Sequence, residues 1–151
     1  MDENAIVKDY YAIDTFRGFV PEHVRHEVER RHKDRNVGTF FSVNKKKWFD
    51  YSLKVSGVDS VISVEDDATK FDFDRIAPIS FALLDLDLYL PMIDVLPRLY
   101  RNLSKGGVIV VDDCSIEDRR WDGSLVAYTE FVCKTGLKRE ILFEKLGIIR
   151  K

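Results

Sequence analysis

Little in this sequence would tie it to a membrane, a nucleic acid or an oxidising compartment. It has two cysteines in 151 residues, Cys114 and Cys133, and they match neither a CxxC pair nor a zinc-ligand spacing. That argues against a disulfide framework and makes a reducing cytoplasm the expected setting. Neither sign of charge is in excess: 24 Lys and Arg stand against 26 Asp and Glu, a net charge of −2. Bulk electrostatics therefore give no reason to expect nucleic acid or an anionic membrane as partner. No apolar run approaches the roughly 20 residues of a membrane helix, and the opening Met-Asp-Glu-Asn lacks the basic and apolar regions of a signal peptide. Glycine and proline are sparse, and there are no repeats, low-complexity tracts or linkers. Residues 1–151 are thus expected to form one globular domain, long enough for a real core.

What is present is an alternation of apolar runs and amphipathic stretches. The segment from Val7 to Phe16 contains Tyr-Tyr-Ala-Ile-Asp14, a short apolar run closed by an acid, and reads as a strand. Residues Pro21 to Arg35 are rich in charge and poor in apolar positions, as in an exposed helix or a lid-like insertion. Ser42 is placed to cap a helix through Trp48, Phe49, Leu53 and Val55 that Gly57 ends. Val58 to Val64 reads as a second strand, and Ile79 to Leu84, nearly all apolar, as a third that is buried on both faces. Met92, Leu96, Leu99 and Leu103 follow at helical spacing, with Pro91 suited to the first turn and Pro97 either starting a later helix or kinking this one. Lys105-Gly106-Gly107 is a turn signal before a strand at Val108 to Val111. Trp121 to Thr135 reads as a helix closed by Gly136, and Arg139 to Arg150 as an antiparallel edge pair turning near Lys145. The expected fold is α/β, with a mainly parallel sheet, helices on both faces and an antiparallel C-terminal edge pair.

Two of these strands end in pairs of acids. Phe81-Ala-Leu-Leu-Asp-Leu-Asp-Leu-Tyr89 brings Asp85 and Asp87 to the end of one, and Gly106-Gly-Val-Ile-Val-Val-Asp-Asp-Cys114 brings Asp112 and Asp113 to the end of its expected neighbour. The carboxyl ends of parallel strands are where such folds bind ligands. Carboxylates gathered there repel one another unless a cation or a proton separates them. Two residues apart on an extended end, Asp85 and Asp87 would point to one face. An all-oxygen set suits magnesium or calcium better than zinc. The plainer alternative is that each acid caps the next helix or turn. Asp14 closes the first strand, where an acid can hold a ribose hydroxyl or merely cap a turn. Asp66 and Asp67 close another strand, equally able to meet a nucleoside or to lie in solvent. His23, His26 and His32 all fall in the charged insertion and read as a solvated face.

Three of these stretches occur in the order and spacing of one family. Asp14-Thr-Phe-Arg-Gly-Phe19, Asp85-Leu-Asp-Leu-Tyr89 and Leu103-Ser-Lys-Gly-Gly-Val-Ile-Val-Val-Asp-Asp113 resemble the macrocin O-methyltransferases, and the closing Leu146-Gly-Ile-Ile-Arg-Lys151 is similar to that family's last strand. The resemblance implies a Rossmann-like S-adenosylmethionine-dependent enzyme that methylates hydroxyls of small molecules such as the sugars of natural products. It implies Asp85, Asp112 and Asp113 as ligands of Mg2+, which would hold and acidify the acceptor hydroxyl. Asp85 or Asp87 would accept the proton. Asp14 would lie near the cofactor ribose, and Asp67 with Ala68 near its adenine.

One part of that pattern is missing. The family's first strand and its glycine-rich turn, of the form Glu-x-Gly-x-x-x-Gly, have no counterpart, and the first strand here matches the family's second. The absent strand would lie between those of Asp14 and Asp85. Either those two strands pair directly, or a partner chain fills a gap (making an oligomer), or the sequence is a fragment. A non-catalytic methyltransferase-like module, and a magnesium-dependent phosphotransfer or hydrolase domain, are the alternatives to an active methyltransferase.

Overall fold

In the computed structural model the described residues are 8–151, so the expected strand start at Val7 lies outside them. Strand β1 (Tyr10–Asp14) pairs in parallel with β2 (Val61–Glu65). Between them the chain forms helix α1 (Pro21–Arg31), a short 3₁₀ turn and helix α2 (Lys46–Val55). A second sheet runs in the order β3–β4–β6–β5. Strand β3 (Ile79–Leu84) is parallel to β4 (Leu103–Val111), and β6 (Leu146–Arg150) is antiparallel to β4 and carries β5 (Ile141–Leu142) on its outer edge. Helix α3 (Tyr89–Asn102) makes the crossover from β3 to β4, and α4 (Asp122–Thr135) leads to the edge pair. The antiparallel C-terminal pair and the β3–β4 adjacency stand as expected.

The core lies between α3, α4 and one face of the four-stranded sheet. Leu84, Ile109, Val111 and Ile149 from the strands meet Met92, Val95, Leu96, Ala127, Tyr128 and Val132 from the helices, all buried. The alternation of strand side chains puts Phe81 and Leu83 on the opposite face, and each of them is 52% exposed. Helix α2 covers that face only at β2, where Ser63 Oγ donates to Asp50 and accepts from Lys46. The uncovered apolar side chains explain why β3 reads as a strand buried on both faces and yet is not.

Several local expectations need correcting. Ser42 does not cap α2: its hydroxyl donates to the Thr39 carbonyl, and the N-cap residue is Lys45. Gly106 and Gly107 do not end one element and begin another. They sit inside β4, where the pairing slips from Ile79–Leu103 to Phe81–Val108, and the φ of +79° at Gly106 absorbs the irregularity. Pro97 lies within the single helix α3. The charged segment is helical, but it is not simply solvated, because Glu27 is buried against the start of α3.

Tyr128 fastens α4 to the edge strands. Its hydroxyl donates to the Glu140 carbonyl at 2.7 Å and accepts from the Glu140 N–H at 2.9 Å. Tyr128→Phe strands both backbone groups, so a loss of about 1–3 kcal/mol is expected. Urea unfolding should show a lower midpoint with an unchanged slope; an unchanged midpoint would mean that solvent replaces the hydroxyl.

Strands β1 and β3 do not pair. Between them runs a cavity of about 870 Å³ along the length of both. Of the arrangements open to a chain lacking the intervening strand, direct pairing is ruled out.

Candidate functional site

The parallel pairing of Leu84 with Val111 places the two strand tips side by side, and the Asp112 N–H donates to the Leu84 carbonyl at 2.9 Å. Beyond these tips the backbone turns sharply. Asp87 and Asp113 both adopt left-handed φ, +59° and +57°, which costs a non-glycine residue energy and is found where the surroundings enforce it. The Leu88 N–H closes a tight turn onto the Leu86 carbonyl at 2.5 Å, and the Asp113 N–H is capped by its neighbour's Asp112 Oδ1 at 2.8 Å. As a result Asp85, Asp87 and Asp113 each bring a carboxylate oxygen within 4.8 Å of the others. Asp85 and Asp87 do meet, but through the turn at Asp87 and not through an extended strand end, since β3 stops at Leu84.

Asp112 is oriented differently. Its oxygens hold the Lys145 ammonium at 3.0 and 3.2 Å, and Lys145 also stands 3.5 Å from Asp113. The hydrogen bond to Asp112 keeps the ammonium above its usual range. The closely spaced trio is therefore Asp85, Asp87 and Asp113, with Asp112 adjacent and engaged by a lysine.

Burial and mutual repulsion act on this trio. Burial, the hydrogen bond with Asp113 and the charge of Asp85 push the Asp87 carboxyl up to about 8. Burial, then Asp112 and Asp113, also raise Asp85. A carboxyl raised this far holds its proton at neutral pH, and that proton relieves the repulsion within the cluster. The donor set is entirely carboxylate oxygen, so it fits a hard divalent cation such as Mg2+ or Ca2+ and not zinc or copper.

Asp85 and Asp87 form one wall of a second cavity of about 200 Å³, which Asp14, Asp67, Ala68, His23 and Phe19 also line. The carboxyl ends of β1, β2 and β3 thus converge on one space. Asp14 is occupied in part by its own turn, accepting the Phe16 N–H at 2.6 Å. Asp67 accepts the Thr69 N–H at 3.0 Å and hydroxyl at 2.8 Å. Burial is the largest influence on Asp67 and acts upward, but the two Thr69 bonds with the nearby charges of His23 and Lys70 leave it below the usual range. His23, expected on a solvated face, is half-buried here, and burial lowers its pKa against the opposing pull of Asp67. Phe19 and Phe41 wall the far side and pack with Trp121, ring centres 5.7 and 6.1 Å away.

Glu27 was not legible as a site residue. Among the described residues it is a buried carboxylate at 2% exposure. Its Oε1 accepts the Tyr89 N–H at 2.7 Å and its Oε2 the Arg31 Nε–H at 2.8 Å. Arg31 in turn reaches Asp122 at the start of α4, 2.5 Å away. An exposed-helix reading hid Glu27, because most of its neighbours in sequence are charged or polar; the Glu-x-x-x-Arg spacing of the ion pair was the one available signal. Lys145 carried no signal beyond its place in a turn.

Cys114 lies under the acids, and burial pushes its thiol up to about 12. Cys133 is exposed. Native protein at pH 8 should therefore react with one equivalent of a thiol reagent, at Cys133, and with a second only after unfolding. Fast modification of Cys114 in the native protein would contradict the burial.

The macrocin-O-methyltransferase (TylF) family model matches residues 2–142. No curated protein matches significantly. Among solved structures, the O-methyltransferase NovP is 17% identical with a TM-score of 0.75, over 95% of this chain and 60% of that one. The calicheamicin methyltransferase CalS11 is 20% identical with a TM-score of 0.68 over the same shares. The chain therefore shares their fold and spans about 60% of their length.

Proposed function

The chain belongs to the macrocin O-methyltransferase family, and from that premise we propose that it carries the metal- and acceptor-binding half of an S-adenosylmethionine-dependent, Mg2+-dependent O-methyltransferase. The acceptor is a hydroxylated small molecule such as a sugar, in keeping with one solved structure of similar fold, CalS11, a TDP-rhamnose 3'-O-methyltransferase. The observation that carries this reading is the close approach of Asp85, Asp87 and Asp113, the first two of which line a pocket shared with Asp14 and Asp67. No described helix is long and apolar enough to cross a membrane; a small-molecule enzyme of the cytoplasm is the setting we assign.

In this reading Asp85 and Asp113 hold the cation, with Asp87 or Asp112 as the third carboxylate. Bound there, Mg2+ would supply the positive charge that lowers the pKa of an acceptor hydroxyl, and S-adenosylmethionine the methyl group. Asp87, beside Asp85 and Asp113, is the residue placed to take the hydroxyl proton once a bound cation would have displaced its own. Asp14 and Asp67, with Ala68, are placed to meet the nucleoside end of the cofactor at the tips of β1 and β2. Phe19 and Phe41 give the pocket apolar lining. Lys145 holds Asp112 back from the trio and would be released if Asp112 turned to the metal.

Calorimetric titration with S-adenosylmethionine, with and without Mg2+, tests the proposal. Binding that Mg2+ strengthens supports it, and no binding in either condition sinks the enzyme reading for this chain. Mn2+ titration of D87N and D112N then separates the two ligand sets: the larger loss of affinity marks the third carboxylate. A second reading is favoured by the open cavity between β1 and β3 and the missing glycine-rich turn: a methyltransferase-like module that binds or assembles without catalysis. Metal binding with no affinity for adenosyl ligands is its signature.

A further inference from the structure

The loop that leaves β2 brings Asp67 and Ala68 to the acid pocket, and one side chain of α3 holds it in place. Asp67 closes a single tight turn. Its carboxylate accepts the Thr69 N–H and hydroxyl, and its carbonyl accepts the Lys70 N–H at 2.7 Å and the Phe71 N–H at 3.1 Å. These bonds satisfy donors of the turn, while its carbonyls still need partners. Arg98 supplies them. Its Nη1 donates to the carbonyls of Thr69 at 2.7 Å and Ala68 at 3.5 Å, and its Nη2 to that of Phe71. Three backbone acceptors of one loop thus converge on one guanidinium.

The guanidinium is itself fixed. It lies over the Phe73 ring, 5.2 Å from the centroid, and Asp94, one turn earlier on α3, accepts from Nη1 at 2.9 Å. A planar fork of five donors serves several carbonyls at once, whereas a lysine ammonium on a flexible stem does not hold that geometry. Arg98 lines neither cavity, and among the described residues it bonds to none of the pocket's carboxylates. Whatever it does for the pocket, it does through the loop. The helix whose start follows Asp87 therefore also grips the loop of Asp67.

We propose that Arg98 is a positioning residue for the nucleoside of the cofactor: by holding the Ala68, Thr69 and Phe71 carbonyls, it keeps Asp67 and Ala68 where they meet the adenosyl group. The inference rests on Asp67 and Ala68 being the residues that face that group. Without the fork the turn loses three anchors together, the bonds from Thr69 loosen, and the Asp67 carboxylate leaves its place. The acid trio is set by the tips of β3 and β4 and by the turn at Asp87, and Arg98 touches none of these.

Three variants of the 151-residue chain test this. R98K keeps the charge without the fork, R98Q removes both, and D94N leaves the carbonyl bonds and removes only the ion pair. In calorimetric titration, S-adenosylhomocysteine should bind R98K and R98Q at least about tenfold more weakly, and D94N as it binds the unsubstituted protein. Mn2+ affinity should stay within about twofold in all three, since the trio shares no partner with Arg98. Carboxyl NMR titration adds a readout that needs no ligand. Against the upward push of burial, the Thr69 bonds hold Asp67 below the usual range. In R98K and R98Q it should rise to the ordinary carboxylate value, while Asp50 on α2, held low by Lys46 and Ser63, stays where it is. Equal S-adenosylhomocysteine affinity in all variants, or an Asp67 carboxyl that does not move, overturns the inference. A parallel loss of both ligands also overturns it, because Arg98 would then support the fold as a whole. If the unsubstituted chain binds no S-adenosylhomocysteine, the cofactor reading itself fails and takes this inference with it.

Discussion

At pH 8, D87N is expected to unfold about 5–10 °C above the unsubstituted protein, and the difference should shrink steadily toward pH 4. Asp87 holds its proton in the folded state up to about pH 8, whereas in an unfolded chain it loses it near pH 3.9. Between those values the folded state binds more protons than the unfolded state, so stability falls as pH rises through the window. Each unit of displacement is worth about 1.4 kcal/mol. Allowing for partial exposure and for sharing of the proton with Asp113, about 2–4 kcal/mol is expected at pH 8, which for a chain of this size is several degrees. Asparagine removes the charge and tolerates the left-handed φ of +59° at this position. In the proposed metal site, Mg2+ acts in the same direction on the unsubstituted protein, taking the place of the proton; stabilisation by Mg2+ that grows with pH, with proton release on binding, checks that link. Equal effects of D87N at pH 5 and pH 8 would mean that Asp87 is ionised in the folded cluster.

The other large effect is expected at Glu27. E27A should destabilise the protein by about 3–5 kcal/mol, because it leaves the Arg31 guanidinium partly unpaired and the Tyr89 N–H at the start of α3 without an acceptor. E27Q keeps an acceptor for Tyr89 and loses only the ion pair, so a cost of about 1–3 kcal/mol is expected. Denaturant unfolding of the two variants measures the difference. Parity between them would show that the Tyr89 bond contributes nothing. The position matters beyond stability. The Tyr89 N–H lies two residues after Asp87, and Gly123 of α4 packs so closely on this turn that a Cβ there would stand 2.7 Å from the Asp87 carbonyl. The carboxylate of α1, the amino end of α3 and the start of α4 together hold the left-handed turn that aims Asp87.

Much of the architecture was legible because it follows from short-range patterns. The nearly all-apolar run Ile79–Leu84, the Gly136 stop, and the paired acids after β3 and β4 depend on neighbours in sequence, and each stands where it was expected. Glu27, His23 and Lys145 were not legible. Their roles come from α1 folding back over α3 and from the β5–β6 turn reaching the tip of β4, contacts between residues far apart in the chain. The absence of the glycine-rich strand was readable; its consequence was not.

The α/β alternation, the family and the four acids at two adjacent strand ends are written in short stretches of the chain, because hydrophobic period and strand termini are local properties. Which three of those acids meet depends on the folded backbone. That choice turns on two left-handed residues and one lysine from a distant turn, and backbone sterics with burial settle it, not spacing. The tertiary structure also decided that β1 and β3 stay a strand apart. Among the described residues no strand pairs with the facing edges of β1 and β3, and a cavity runs between them.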